Sequence, residues 1–286
     1  MACDRGAFAA IVFSCALMVP GASSAAAIND LFVFGDSYSD TGAYVRQTTN
    51  GTTAVAYLAK DFGITLTTSK NLDPGTDGVN FAEAGARVFV GPKPPAVHPR
   101  SLTQQVDEFR NDVASHKVTF DPRTSLFFLA GGLNDHKLVT SAQVDAATVA
   151  QVRTLYALGA RLFEIALLPS KVPPFADSAD NLNPGYRALL PELRADFPGA
   201  VFGLSNWGPD YDDIIEHPSA YGFTNVTDPC HDFRKRGSTC STPDKYFYYY
   251  DGHPSDAAHH IVGNALYAEV LALPPVPASP PARVAE

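Results

Sequence analysis

The amino-acid sequence predicts an α/β fold of three α/β/α layers, in which helices cover both faces of a mostly parallel sheet. Short apolar runs of strand length recur along the chain and lack the alternation of a half-exposed strand. Segments with apolar residues three and four positions apart lie between these runs. Such alternation of strand and helix is typical of a parallel sheet. The 286 residues, 45% of them hydrophobic, can bury a sizeable core.

Four apolar runs are predicted as strands, at residues 31–34, 125–130, 162–168 and 200–205. Five segments are predicted as helices, at residues 53–63, 101–112, 141–160, 185–199 and 255–273. Ser101 fits an N-cap for the second helix, and glycines lie at the ends of the first and third. Pro191 interrupts the fourth.

Residues 1–27 are predicted to be a secretory signal peptide. Arg5 precedes an apolar run too short to span a bilayer, and small residues follow it as a cleavage site. An uncleaved N-terminal anchor is the alternative. No later segment is apolar enough to cross a membrane, so we expect an extracellular or periplasmic protein without stable membrane insertion. Residues 28–273 then form a single domain, and the proline-rich residues 274–286 form a disordered tail.

Cleavage of the signal peptide leaves two cysteines, Cys230 and Cys240. An even pair, close in sequence and in an oxidising compartment, predicts one disulfide. The alternative, a metal site, needs more soft ligands than two cysteines offer, so no metal is expected.

The formal net charge of −9 argues against a nucleic-acid partner, because phosphate binding requires a concentrated basic surface. The one basic cluster, residues 233–237, is interpreted as a solvated loop inside the disulfide. We expect a monomer acting on a small-molecule or polymer-borne substrate.

The first predicted strand ends on Gly35-Asp36-Ser37. Ligands of open α/β sheets bind beyond the carboxyl ends of the strands, so Ser37 is placed where a nucleophile could act. The alternative is an ordinary turn in which Asp36 or Ser37 caps the next element.

Three further motifs supply the partners that a nucleophilic serine needs. Asn134, in Gly-Gly-Leu-Asn-Asp after the second predicted strand, could donate its amide to an oxyanion, or form a simple turn. Gly85, in an alanine-rich context, could present its main-chain N–H, or end a helix. Asp251 and His253 precede the last helix and could form an acid–base pair.

These four motifs, in this order, resemble the sequence blocks of the GDSL or SGNH hydrolase family of secreted esterases and lipases. The resemblance extends from Phe32 to about Leu271. It implies a flavodoxin-like SGNH-hydrolase fold, a nucleophile at Ser37 and a base at His253. It also implies an oxyanion hole formed by the main-chain N–H groups of Ser37 and Gly85 and the side chain of Asn134.

The sequence departs from the family pattern at two positions. Tyr38 stands where the family has leucine, and the family's acid three residues before the histidine is replaced by Tyr250. We expect Asp251, two residues before His253, to be the third catalytic residue. Alternatively, a main-chain carbonyl orients the imidazole and the Asp251 carboxylate points elsewhere, because the acid orients the base without taking its proton.

The expected function is hydrolysis of carboxylic esters through an acyl-enzyme on Ser37, without a cofactor. The lack of a long apolar lid segment favours short to medium acyl chains. The alternatives are an O-acetyl esterase acting on polysaccharide and a catalytically inactive carbohydrate-binding relative. A zinc site formed by His253, His259 and His260 is a further chemical alternative, although their spacing matches no known metal-binding helix. Asn50 and Asn225 lie in glycosylation sequons, which matter only in a eukaryotic secretory pathway.

Overall fold

The structure of the protein is a computed structural model that describes residues 27–42, 48–73, 75–90, 99–135, 139–232 and 238–278. The predicted signal peptide up to residue 26, the basic cluster 233–237 and the tail beyond residue 278 lie outside the described residues. Within the described ranges, no helix combines the length and the apolar character needed to span a membrane.

A six-stranded parallel sheet forms the centre of the fold, in the order β2-β3-β1-β4-β5-β6. The strands are β1 (Asp30–Gly35), β2 (Leu66–Thr68), β3 (Gly78–Asn80), β4 (Ser125–Ala130), β5 (Leu162–Ala166) and β6 (Val201–Ser205). From β1 the chain moves first to β2 and β3 on one side and then to β4 on the other. The strand order therefore reverses at β1, and the crevice at such a switch point is where α/β sheets bind ligands.

The six helices of the described ranges pack in two groups. They are α1 (Ala54–Asp61), α2 (Leu102–Ala114), α3 (Ser141–Ala157), α4 (Ala176–Asp196), α5 (Trp207–Glu216) and α6 (Asp256–Ala272). Helix α6 packs against α1 and α5, whereas α3 packs against α2 and α4. The predicted three-layer α/β/α architecture with a parallel sheet is confirmed.

A row of phenylalanines crosses the sheet and explains why its strands are apolar throughout. Phe32, Phe127, Phe163 and Phe202 are register partners on β1, β4, β5 and β6. Successive ring centroids lie 5.1, 5.7 and 4.9 Å apart. Phe109 of α2 packs edge-on against Phe32 at 5.0 Å. All five rings are buried, and each contributes about 1.5–3 kcal/mol relative to an exposed side chain.

Two helices that border the site begin at serines that cap them. The Ser101 side chain accepts from the N–H of Gln104, and the Gln104 side chain accepts from the N–H of Ser101, which completes a capping box. The Ser255 side chain accepts from the N–H of Ala258 at the start of α6. These caps satisfy main-chain donors that would otherwise lack partners.

The fourth predicted helix begins earlier than expected, at Ala176 rather than residue 185. Pro184 and Pro191 both lie inside α4. Each proline removes one helical hydrogen bond, and the buried residues on either side of them, such as Leu182 and Leu189, pack as one continuous helix face.

A small C-terminal sheet carries the predicted base. It consists of β7 (Asn225–Pro229), β10 (Tyr246–Tyr250) and β11 (His253–Pro254). A two-stranded hairpin, β8 (His231–Asp232) and β9 (Ser238–Thr239), follows β7. The Sγ atoms of Cys230 and Cys240 lie at a bonding distance of 2.01 Å. The predicted disulfide is therefore present and closes the base of this hairpin.

Candidate active site

Ser37 lies in a tight turn directly beyond the carboxyl end of β1. The N–H groups of Ser39 and Asp40 donate to the carbonyl of Asp36, at 3.1 and 2.9 Å. The Asp36 Oδ1 accepts from the N–H of Tyr38 at 3.2 Å. Asp36 therefore makes the turn that the sequence allowed, and Ser37, only 4% exposed, is held at the strand end beside His253.

His253 reaches Ser37 from β11. Its Nε2 lies 2.9 Å from the Ser37 Oγ, and its Nδ1 lies 2.9 Å from the main-chain oxygen of Asp251. A carbonyl oxygen can only accept a hydrogen bond, so Nδ1 must carry the proton of the neutral ring. Nε2 is then unprotonated and accepts from the Ser37 hydroxyl, which is the arrangement a general base requires.

Burial lowers the pKa of His253 below its usual 6.5, and this is the largest influence on it. The hydrogen bond to the Asp251 carbonyl and the charge of the Asp251 carboxylate both act in the opposite direction. The net effect keeps the imidazole neutral, and able to accept a proton, at neutral pH.

Asp251 contacts the imidazole through its main chain. The sequence left open whether the carboxylate or a main-chain carbonyl orients the imidazole, and in the structure the Asp251 carbonyl accepts the hydrogen bond from Nδ1. The side chain of Asp251 is solvent-exposed and acts on His253 through its charge. A catalytic role for the Asp251 carboxylate stays a prediction.

The loop that carries Gly85 is tied to the Ser37 turn. The N–H of Glu83 donates to the carbonyl of Gly35 at 3.2 Å, and that of Ala84 donates to the Asp40 carboxylate at 2.8 Å. Gly85 has a φ of +87°, a conformation that favours glycine. Its N–H has no acceptor among the described residues, so it is available to a ligand.

Asn134 is held against the same loop from β4. Its Nδ2 donates to the carbonyl of Ala86 at 2.9 Å. An amide nitrogen carries two hydrogens, so one N–H remains for a ligand. The next residue, Asp135, accepts from the N–H of Val88 at 3.0 Å. Because β3, β1 and β4 are neighbours, the three predicted oxyanion donors lie at one edge of the sheet, at the switch point.

Sequence reasoning missed two residues that hold this edge together. The Gln105 side chain accepts from the N–H of Gly35 and donates to its carbonyl, both at 2.9 Å. The Tyr38 hydroxyl donates to the carbonyl of Gly252 at 2.7 Å. The signal for Gln105 was a polar residue on the apolar face of α2. The signal for Tyr38 was a hydroxyl group at a position where the family has leucine.

Asp36 in the nucleophile turn and Asp135, whose charge acts on it, both carry buried carboxyl groups. Burial, with a smaller effect from the charge of Asp135, raises the pKa of Asp36 to about 8. Burial likewise raises the pKa of Asp135 to about 6. Asp36 is therefore mostly protonated at neutral pH, which avoids two adjacent buried charges.

The other two histidines of the zinc alternative make different contacts. His259 is buried, its Nδ1 lies 2.6 Å from the Tyr211 hydroxyl, and burial lowers its pKa to about 3. His260 stacks on Tyr57 with ring centroids 4.5 Å apart. His259 is therefore a neutral core residue at physiological pH.

Comparison with known proteins assigns the family. Residues 31–266 match the sequence model described as GDSL-like Lipase/Acylhydrolase. The protein belongs to this family. A GDSL esterase/lipase from Arabidopsis thaliana is 24% identical over 301 aligned residues, covering 85% of this chain and 82% of the relative. Lipase 1 from Photorhabdus luminescens is 31% identical over 171 residues, which cover 54% of this chain and 24% of that protein.

Solved structures of similar proteins were also found. A lipolytic protein of the GDSL family from Veillonella parvula has a TM-score of 0.48 and 11% identity, covering 84% of this chain and 96% of its own. A catalytic mutant of an acetylxylan esterase from Geobacillus stearothermophilus has a TM-score of 0.47 and 15% identity, covering 85% of this chain and 94% of its own.

Proposed function

We propose that this member of the family is a serine carboxylic ester hydrolase. The observation that carries the proposal is the chain of two 2.9 Å contacts from Ser37 Oγ to His253 Nε2 and from His253 Nδ1 to the Asp251 carbonyl. It joins a nucleophile to a base whose tautomer is fixed, and it lies at the switch point of the sheet.

The reaction follows from this geometry in two halves. Ser37 Oγ attacks the ester carbonyl while His253 Nε2 takes the hydroxyl proton, and His253 then gives that proton to the departing alcohol. Water attacks the resulting acyl-enzyme with His253 again as base, which releases the acid and restores Ser37.

The oxyanion formed in each half would be stabilised by the N–H groups of Ser37 and Gly85 and by Asn134 Nδ2. The Asn134 bond to Ala86 and the Glu83 bond to Gly35 fix the last two donors relative to Ser37 before substrate binds. Donors held in place in advance stabilise a transition state without reorganisation.

Short to medium acyl esters are the proposed substrates. The aromatic rings beside the imidazole include Tyr250 at 5.6 Å and Phe175 at 6.1 Å between ring centroids. They give an apolar border to a small acyl or alcohol group. The half-buried ring of Tyr250 could equally stack on a sugar, which makes an O-acetyl ester of a polysaccharide the second candidate. The disulfide and the N-terminal sequence support secretion.

The test is hydrolysis of p-nitrophenyl esters from acetate to palmitate, beside acetylated xylan, by the mature chain and by Ser37→Ala. We expect turnover that is highest on short chains and is lost in Ser37→Ala. A folded wild type that hydrolyses no ester, or a Ser37→Ala variant with full activity, would contradict the proposal. Preference for acetylated xylan over p-nitrophenyl acetate would select the second candidate.

A further inference from the structure

The side chain of Tyr38 connects the nucleophile turn to the loop that carries the base. Tyr38 directly follows Ser37 and is fully buried. Its hydroxyl donates to the main-chain oxygen of Gly252, directly before His253, at 2.7 Å. The residue after the nucleophile is therefore hydrogen-bonded to the residue before the base, although the two residues are 214 positions apart in sequence.

The turn that Tyr38 binds is the one that orients the imidazole. Asp251 and Gly252 form the turn between β10 and β11, and Gly252 has a φ of +70°. The Asp251 carbonyl accepts from His253 Nδ1, and the next carbonyl, that of Gly252, accepts from Tyr38. The two consecutive peptide groups are thus each fixed by one hydrogen bond, so rotation of either would change the position of the Asp251 oxygen relative to His253.

We propose that the Tyr38 hydroxyl is a positioning group for His253: it holds the Asp251–Gly252 turn so that the Asp251 carbonyl meets Nδ1 and Nε2 meets Ser37. This deepens the proposed function and rests on it. The rotamer of its side chain can hold a carboxylate in place, whereas a main-chain carbonyl is held only by the backbone around it. The turn itself must be anchored, and the Tyr38 hydroxyl is the anchor in the buried interior.

A purely structural role for Tyr38 is the competing explanation, because its ring packs in an aromatic cluster. Phe175, Trp207 and Tyr211 lie edge-on to it, with centroids 5.4 to 5.6 Å away. Tyr38→Phe keeps this packing and removes only the hydroxyl. Tyr211→Phe is the matched control, since Tyr211 is a fully buried member of the same cluster whose hydroxyl binds His259 and not the turn.

The kinetic test compares these two variants on p-nitrophenyl acetate. Tyr38→Phe should lower kcat by roughly tenfold to a hundredfold with KM changed by less than about threefold, because a loosened base affects the transition state more than substrate binding. Tyr211→Phe should lower the unfolding midpoint in denaturant as Tyr38→Phe does, yet keep the wild-type kcat. Equal kcat in wild type and Tyr38→Phe, or equal losses in the two variants, would overturn the proposal.

A second measurement does not depend on turnover. In ¹⁵N-histidine NMR spectra at pH 8, His253 in the wild type and in Tyr211→Phe should show one tautomer with a slowly exchanging Nδ1–H. In Tyr38→Phe that proton should exchange faster and the Nε2–H tautomer should appear. Identical His253 signals in all three proteins would overturn the positioning role. If the wild type hydrolyses no ester, the proposed function fails, and this spectrum still decides the role of Tyr38.

Discussion

Replacing Asp251 by asparagine separates the two ways in which this residue can act on His253. The change removes the carboxylate charge and leaves the main-chain carbonyl that binds Nδ1 at 2.9 Å. Exposed charge pairs contribute about 0–1 kcal/mol, which corresponds to about fivefold or less in rate. A triad in which the carboxylate itself supplies the Nδ1 bond loses about 10⁴ in kcat on the same substitution. We therefore expect Asp251→Asn to retain at least about a fifth of the wild-type kcat.

The same substitution should also shift the pH dependence of the reaction in a predictable direction. His253 must be neutral to act as base, so the acid limb of kcat/KM follows its pKa in the free enzyme. The Asp251 charge raises the pKa of His253, so removing that charge should lower the pKa and move the acid limb to lower pH. The assay is hydrolysis of p-nitrophenyl acetate between about pH 5 and 9, a range that covers histidine titration.

Two controls keep this experiment interpretable. Ser37→Ala sets the background rate, and Asp107→Asn makes the same charge change on an exposed side chain of α2, so it should leave kcat and the acid limb unchanged. A loss of about 10³ or more in Asp251→Asn would show that the carboxylate supplies the orienting bond. Movement of the acid limb to higher pH would refute the electrostatic argument.

Three further predictions concern the oxyanion donor, a buried acid and the disulfide. Asn134→Ala should lower kcat by about two to three orders of magnitude with little change in KM, measured on p-nitrophenyl acetate, and a near-normal kcat would remove Asn134 from the oxyanion hole. Burial, and to a smaller extent the charge of Glu269, raises the pKa of Glu164 from 4.5 to about 8. Between these values the folded state keeps a proton that the unfolded state loses, so the free energy of unfolding falls as the pH rises. In denaturant titrations between pH 5 and 8, the free energy of unfolding of the wild type should fall by on the order of 3 kcal/mol more than that of Glu164→Gln. The same pH dependence in both proteins would contradict this. Reduction of the Cys230–Cys240 disulfide should lower the free energy of unfolding by about 2–3 kcal/mol, an effect that the double serine variant should not show.

The sequence patterns predicted the centre of the fold because its strands are long and buried on both faces. All residues of β4 and β5 are buried, so their apolar runs have no interruption. Strands β2 and β3 were not predicted, since three residues each carry too little pattern. Helix α4 was predicted too short because Pro184 and Gly185 interrupt its first half, and α5 was not predicted at all.

The candidate site was predicted to the extent that side chains mark it. Ser37 and His253 come from distant motifs, and the structure brings them to 2.9 Å. The partner of Nδ1 could not be decided from the sequence, because a main-chain carbonyl exists at every residue and leaves no mark in the side-chain pattern. The role of the Tyr38 hydroxyl was equally hidden, since it depends on a contact between residues 214 positions apart.

The most direct test of the account is to identify the residue that becomes covalently modified during the reaction. The protein is incubated with a p-nitrophenyl alkylphosphonate, which phosphonylates an activated serine with release of p-nitrophenol, and is then digested and analysed by mass spectrometry. We expect one adduct per chain, on Ser37, with loss of ester hydrolysis in proportion, and no adduct in Ser37→Ala. An active enzyme that carries the adduct elsewhere, or that stays unmodified, would contradict the claim that Ser37 is the nucleophile.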